Sequence, residues 1–181
     1  MKILILDGTK KERMSPVLLY LAQKYNTRVV SAISPDLEVL CQKYDTWDNI
    51  PNKEILSTME GTITHVCNVL KEYEPDVVIG LEYGASVLSN VCADYYWEGP
   101  SIYLDPSGYF YMSRDRFMTD CDLGEKSYWV IRKTDKSPSR KYVEKLHHFK
   151  EGTVILVHDS EGVESVIHSG ILFGIIDRIA K

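Results

Sequence analysis

Short apolar runs alternate along this chain with longer segments in which apolar residues recur every three or four positions. The short runs are typical of buried strands, and the longer segments are typical of amphipathic helices. Strands are predicted to begin near Lys2, Arg28, Asp76, Ser101, Ser127 and Thr153. This alternation predicts an α/β fold in which a mainly parallel sheet carries helices on both faces.

Three segments carry clear helix signals. Ser15-Pro16 is typical of a helix start, the stretch 54–73 has a continuous apolar stripe, and a final helix is predicted from Val163 to Ile179. Ser34-Pro35-Asp36 is predicted to end the second strand. The mixed segment 37–52 that follows gives no assignment.

The length of 181 residues predicts a single domain spanning residues 1–181. Within it, residues 106–126 combine aromatic and charged side chains without a period of two or of 3.6. This segment is therefore predicted to be a long loop or a small cap.

The stretch from Asp76 to Leu88 organises the rest of the chain. An apolar run ends at Gly80, a second glycine follows at Gly84, and a helical apolar pattern begins at once. Glycines on both sides allow a sharp turn to pass close to a strand and a helix. We expect the turn to expose Glu82, with Tyr83 beside it.

Charge and composition exclude several classes of function. The net charge of −5 argues against a nucleic-acid-binding surface, which needs a basic face. No apolar run approaches the roughly 18 residues of a membrane span, so no membrane association is expected. The four cysteines are widely spaced and are predicted to be reduced thiols of a cytoplasmic protein, without a zinc site: Cys41, Cys67, Cys92 and Cys121.

In order and content the chain resembles a small α/β-hydrolase of the short bacterial esterase type. Leu6-Asp7-Gly8 is similar to the turn after the first core strand of that family, and residues 76–84 are similar to its nucleophile elbow. Residues 134–138 resemble the loop that carries the triad acid, and residues 157–162 resemble the loop that carries the triad histidine. The resemblance implies an α/β-hydrolase-like fold with a cleft at the carboxyl ends of the strands.

At the three triad positions the resemblance implies unusual residues. Glu82 stands at the serine position, Asp135 at the acid position, and Glu161 at the histidine position, or Ser160 after a shift of one residue. Serine hydrolases need a base within reach of a hydroxyl nucleophile. The resemblance therefore implies a catalytically degenerate protein, a pseudoenzyme, that binds a small ligand or a protein partner through the former cleft. Its predicted ligand-binding residues are Asp7, Gly8, Tyr83, Tyr109 and Phe110.

On this alignment Asp7, Glu82, Asp135 and Glu161 share one edge of the sheet, where like charges disfavour joint ionisation. A divalent cation held by Glu82, Asp135 and Glu161 would resolve the repulsion, since magnesium, calcium and manganese prefer oxygen ligands. No other cofactor is expected. One carboxyl group could instead stay protonated as a general acid beside an ionised base. The structural alternative is pairing with basic residues of the chain: Arg13, Arg114, Arg116, Arg132 and Lys133.

Two further alternatives stay open. Dehalogenases and epoxide hydrolases, which are α/β-hydrolase relatives, form an ester on an elbow aspartate and keep a histidine that activates water. A hydrolase of that kind would use Glu82 as the nucleophile, with His158 or His168 as the base. A more distant resemblance is to phosphoribosyltransferases, through residues 76–89 and 130–133, although the loop after Asp159 lacks a Thr-Gly run for phosphate.

Overall fold

A computed structural model describes residues 1–9, 16–44, 50–93, 96–106, 126–132, 153–157, 166 and 169–181. Its strands form one sheet in the order β2-β1-β3-β4-β5-β6, and every neighbouring pair is parallel. This arrangement confirms the predicted parallel α/β architecture. The strands are β1 (Lys2–Gly8), β2 (Asn26–Ser31), β3 (Val77–Glu82), β4 (Ser101–Leu104), β5 (Ser127–Arg132) and β6 (Thr153–Val157).

Helices cover both faces of the sheet. The helices of the described residues are α1 (Pro16–Lys24), α2 (Pro35–Lys43), α3 (Asn52–Tyr73), α4 (Tyr83–Ala93) and α5 (Ile171–Ile179). Helices α1 and α5 contribute to the core on one face, and α2, α3 and α4 contribute to the core on the other. Both faces of the central strands are therefore buried.

Alternate residues of β1 show how the two cores are built. Ile3 and Ile5 belong to the core with α1 and α5, whereas Leu4 and Leu6 belong to the core with α2, α3 and α4. Successive strand side chains point to opposite faces, so a strand covered on both sides needs an apolar residue at each position. This requirement explains why the strands could be recognised as continuous apolar runs.

The residues predicted to end the second strand follow β2, and they also begin a helix. The Leu37 backbone N–H donates to the Ser34 hydroxyl oxygen at 3.2 Å, and Pro35 occupies the first turn of α2. Ser-Pro-Asp can both end a strand and begin a helix. Its serine caps the helix N-terminus, and the fixed φ of its proline suits the first helical turn. The unassigned segment after it is therefore helical as far as Lys43.

The C-terminal helix begins later than the apolar pattern predicts. Gly170 has a φ of 72°, and α5 starts at the next residue. A left-handed residue cannot continue an α-helix, so α5 is separate from the helical residue Val166. The predicted cap at Ser15 and residues 107–125 of the predicted loop or cap lie outside the described residues.

Cys41, Cys67 and Cys92 are thiols, and Cys67 and Cys92 are buried; Cys121 lies outside the described residues. The Cys92 sulfur accepts a hydrogen bond from the Tyr103 hydroxyl at 3.4 Å and lies 3.8 Å from the Ser101 hydroxyl. Burial raises the pKa of the Cys92 thiol from 9.0 to about 11, although these two hydrogen bonds act in the opposite direction. The folded protein therefore favours the protonated thiol.

This raised pKa predicts a loss of stability in alkali. Below pH 9 the Cys92 thiol is protonated in both the folded and the unfolded chain, so its contribution to stability is fully present. As the pH rises towards 11, only the unfolded chain ionises freely, and the free energy of unfolding should fall by about 3 kcal/mol in total. Urea unfolding between pH 7 and pH 11 measures this loss.

The matched control is Cys92→Ala, which should show a shallower decline over the same pH range. Burial also raises the pKa of Tyr83, so both proteins should lose stability at the highest pH values. The informative quantity is therefore the difference between the two curves. Parallel curves between pH 9 and pH 11 would contradict the prediction.

Candidate functional site

The junction between β3 and α4 contains the predicted sharp turn. Glu82 is the last residue of β3, Tyr83 is the first residue of α4, and Glu82 has a φ of 49°. The strand runs two residues beyond Gly80 because Leu81 and Glu82 continue the pairing with β1. One left-handed residue thus converts a central strand into a helix and leaves the Glu82 side chain half-buried at the carboxyl end of the sheet.

Two glycines allow α4 to start directly against β1. A Cβ atom on Gly84 would lie 2.6 Å from the carbonyl carbon of Leu6 and would overlap the oxygen of that carbonyl. A Cβ atom on Gly8 would lie 2.6 Å from the backbone nitrogen of Tyr83. Both positions therefore exclude any side chain. Gly8 sets the approach of α4 to β1, while its contact with a ligand stays a prediction.

The left-handed conformation at Glu82 is strained. For a residue with a side chain this conformation costs about 1–2 kcal/mol, whereas glycine adopts it readily. Glu74 and Asp105 also have positive φ values, of 48° and 47°. Glu74 has an ordinary explanation, because it ends α3 and its backbone N–H donates to the Leu70 carbonyl oxygen at 3.0 Å. Glu82 and Asp105 instead lie at the carboxyl ends of the neighbouring strands β3 and β4.

The strand register aligns three acidic residues along one edge of the sheet. Gly8 pairs with Glu82, and Leu81 pairs with Leu104, so Glu82 and Asp105 occupy equivalent positions at the ends of β3 and β4. Asp7 lies one residue earlier, near the end of β1. All three side chains are half-buried. We call Asp7, Glu82 and Asp105 the acidic edge.

The acidic edge lies where the direction of the chain across the sheet reverses. From β1 the chain continues to β2 on one side, whereas from β3 it continues to β4 on the other side. In open parallel sheets, ligands bind outside the carboxyl ends of the strands at such a reversal. The topology therefore places Asp7 and Glu82 at the position where a ligand site is expected in this class of fold.

The Asp7 carboxylate is engaged by the turn that follows β1. The backbone N–H and the hydroxyl of Thr9 donate to Asp7 Oδ1 at 3.0 and 2.7 Å. In hydrolases with an elbow, an N–H of the loop after the equivalent strand helps to stabilise the oxyanion. Here the Thr9 N–H points to a carboxylate of the chain itself.

The serines of α4 are structural residues. Ser86 is 0% exposed and Ser89 is 1% exposed, and the Ser89 hydroxyl donates to the Ser86 carbonyl oxygen at 2.7 Å. Ser101 and Ser127 are also buried. None of these four hydroxyl groups is therefore exposed at the elbow.

The Tyr83 side chain lies in the core. It is 2% exposed, and burial raises the pKa of its hydroxyl, although the nearby Thr58 side chain acts in the opposite direction. Cys41 also contributes to the electrostatic environment of this hydroxyl. Tyr83 thus connects the start of α4 with α2 and α3. Its contact with a ligand stays a prediction, and its position is that of a packing residue.

Asp135, Glu161, Tyr109 and Phe110 lie outside the described residues, as do His158, Ser160 and His168. The convergence of Glu82 with Asp135 and Glu161, as a triad or as a metal site, therefore stays a prediction. Within the described ranges, no group of three His, Cys, Asp or Glu side chains is placed to hold a metal ion. No helix of those same ranges is long and apolar enough to cross a membrane.

Sequence reasoning missed Asp105. The signal was present, because Asp105 directly follows the apolar run of β4 and precedes Pro106. A residue before proline is steered away from the α-helical region. What could not be read from the sequence is that Asp105 aligns with Glu82, since that depends on the register between β3 and β4.

Comparison with solved structures shows an α/β-hydrolase-like fold. The structure of YahD with malic acid matches with a TM-score of 0.60 at 14% identity and covers 96% of this chain and 92% of that one. A Bacillus cereus carboxylesterase matches at 18% identity with a TM-score of 0.44, covering 86% of this chain and 77% of that one. MGS-M1, an α/β hydrolase from a deep-sea metagenome library, matches at 15% identity with a TM-score of 0.44. The match covers 87% of this chain and 68% of that one.

No protein-family model and no curated protein matches the sequence. At 14% identity, the likeness to YahD extends to the fold and no further. The fold agrees with the hydrolase resemblance and leaves the phosphoribosyltransferase-like alternative without support.

Proposed function

We propose that this chain is a catalytically degenerate α/β-hydrolase-fold protein that binds a ligand through the cleft at the acidic edge. The observation that carries the proposal is Glu82, which occupies the strained position between β3 and α4. The packing of Gly8 against Gly84 retains the close helix–strand approach of an elbow. The turn therefore resembles the nucleophile elbow of the hydrolases, but it carries the carboxylate of Glu82 where a serine hydrolase carries a hydroxyl.

The electrostatics of the site argue against acyl transfer by a serine mechanism. That mechanism needs a hydroxyl nucleophile and hydrogen-bond donors directed at the developing oxyanion. Glu82 supplies a carboxylate in place of the hydroxyl, and Asp7 accepts the Thr9 N–H. A developing oxyanion would meet negative charge on both sides, so the transition state would be destabilised.

The same negative charges favour ligands that carry positive charge or donate hydrogen bonds. Half-buried carboxylates are stabilised by groups that donate hydrogen bonds or carry positive charge. Ligands with an ammonium group, ligands with several hydroxyl groups and divalent cations all have this chemistry. A small ligand or a basic segment of a protein partner would therefore suit the acidic edge.

The second candidate is a hydrolase that uses Glu82 as a covalent nucleophile. The strain at Glu82 favours it, because glycine would form the same turn without that cost and the carboxylate is held at the apex. One carboxylate oxygen would attack the substrate carbon and form an ester as the leaving group departs with its bonding electrons. Water activated by a base would then cleave the ester and restore the carboxylate.

Fluorophosphonate labelling of the purified protein is expected to be negative. The reagent needs an activated hydroxyl, and Ser86 and Ser89 are buried in α4. Glu82→Ser alone should also remain unlabelled, because it supplies a hydroxyl without a base to activate it. Intact-mass spectrometry, with a serine esterase as positive control, makes the measurement.

Stoichiometric labelling of the wild-type protein would contradict the proposal that the protein is catalytically degenerate. Peptide mapping would then identify the modified serine, and Ser160 is the first position to inspect. Labelling of Glu82→Ser but not of the wild type would show that a base is present beside the elbow. That result would favour the second candidate, a hydrolase that uses Glu82 as a covalent nucleophile.

Glu82→Gln is expected to raise the stability of the metal-free protein by about 1 kcal/mol, since it removes one charge from the acidic edge. If a divalent cation is the ligand, magnesium, calcium or manganese should stabilise the wild type in proportion to the logarithm of cation concentration. The Gln variant should lose most of that gain. Thermal melts of both proteins across a divalent titration make the measurement, and a parallel titration with alkylammonium compounds tests organic cations.

Glu74→Gln is the matched control, because Glu74 has nearly the same φ but lies at the end of α3, away from the acidic edge. It should respond to added cations as the wild type does. A wild-type melt unchanged by cations, together with a destabilised Glu82→Gln variant, would mean that Glu82 is paired with a cationic side chain of the protein. The acidic edge would then be structural, and the proposed binding of cations would be wrong.

A further inference from the structure

We draw no further inference here: the strongest candidate, the acidic edge of Asp7, Glu82 and Asp105 at the carboxyl ends of β1, β3 and β4, belongs to the site already described, and no second feature of the described residues points independently to a ligand there.

Discussion

Gly84→Ala is expected to abolish folding or to lower the free energy of unfolding by more than about 4 kcal/mol, a loss at the far end of the range for single substitutions. The added Cβ would overlap the Leu6 carbonyl oxygen and lie 2.6 Å from the carbonyl carbon. Both atoms are backbone of β1 in the middle of the sheet, so no side-chain rotation can relieve the clash. Urea unfolding, or the soluble yield if the protein does not fold, measures the effect.

Gly61→Ala is the matched control for this substitution. Gly61 lies inside α3, and a Cβ atom there would have no atom within 4 Å among the described residues. Alanine is favoured over glycine in a helix, so this variant should gain about 0.5–1 kcal/mol. A Gly84→Ala variant that folds with wild-type stability would contradict the close approach of α4 to β1, and with it the elbow on which the proposed function rests.

Trp129→Ala is expected to lower the free energy of unfolding by about 3–5 kcal/mol, the usual cost of truncating a large buried aromatic residue. Trp129 is 0% exposed and stacks on Tyr103, with ring centroids 3.8 Å apart and an interplanar angle of 4°. Its indole N–H donates to the Ser127 hydroxyl at 3.3 Å. Truncation removes the stack that joins β4 to β5 and leaves a cavity in the core that the sheet shares with α2, α3 and α4.

Two controls separate the parts of this effect. Trp129→Phe keeps an aromatic ring against Tyr103 and loses the indole N–H and some volume, so it should be clearly less destabilising than alanine. Tyr96→Ala truncates an aromatic residue that is 55% exposed, and it should change the free energy of unfolding by no more than about 0.5 kcal/mol. Equal losses at Trp129 and Tyr96 would contradict the packing described between β4 and β5.

These stability tests and the tests at the acidic edge address different properties. Gly84 and Trp129 maintain the sheet and the elbow, so their substitution should lower the free energy of unfolding irrespective of ligand. Glu82→Gln should leave the protein folded, raise its stability slightly in the absence of ligand, and change its response to ligands. A folded Glu82→Gln variant with wild-type ligand response would therefore count against the proposed site while leaving the fold intact.

The sequence was sufficient to predict the architecture because the strands are short, apolar and buried on both faces. β4 and β6 coincide with the apolar runs that predicted them, and α3 matches its apolar stripe. These features are local, since each depends on the hydrophobic period within one segment. The prediction of one continuous C-terminal helix from Val163 was wrong, because an apolar pattern does not show where a left-handed residue such as Gly170 interrupts a helix.

The spacing of glycines around Glu82 predicted the position of the turn but not how it is held. Gly8 and Gly84 lie in different elements, and their close approach appears only when β1 pairs with β3. The position of the Tyr83 side chain could not be predicted from the sequence either. Its position next to Glu82 in the sequence suggested a place at the site, yet the rotation of α4 directs its ring into the core with Thr58.

The composition of the acidic edge was likewise decided by tertiary structure. The sequence alone identified Asp7 and Glu82 as carboxylates at strand ends, because both follow apolar runs. It did not associate Asp105 with them, because that depends on the register between β3 and β4. Nor did it show that the Thr9 N–H is directed to Asp7, because the orientation of a hydrogen bond in a turn depends on backbone torsions that residue types restrict only loosely. Hydrophobic periodicity therefore determined the fold, whereas strand register and turn geometry determined which charged residues lie at neighbouring strand ends along the acidic edge.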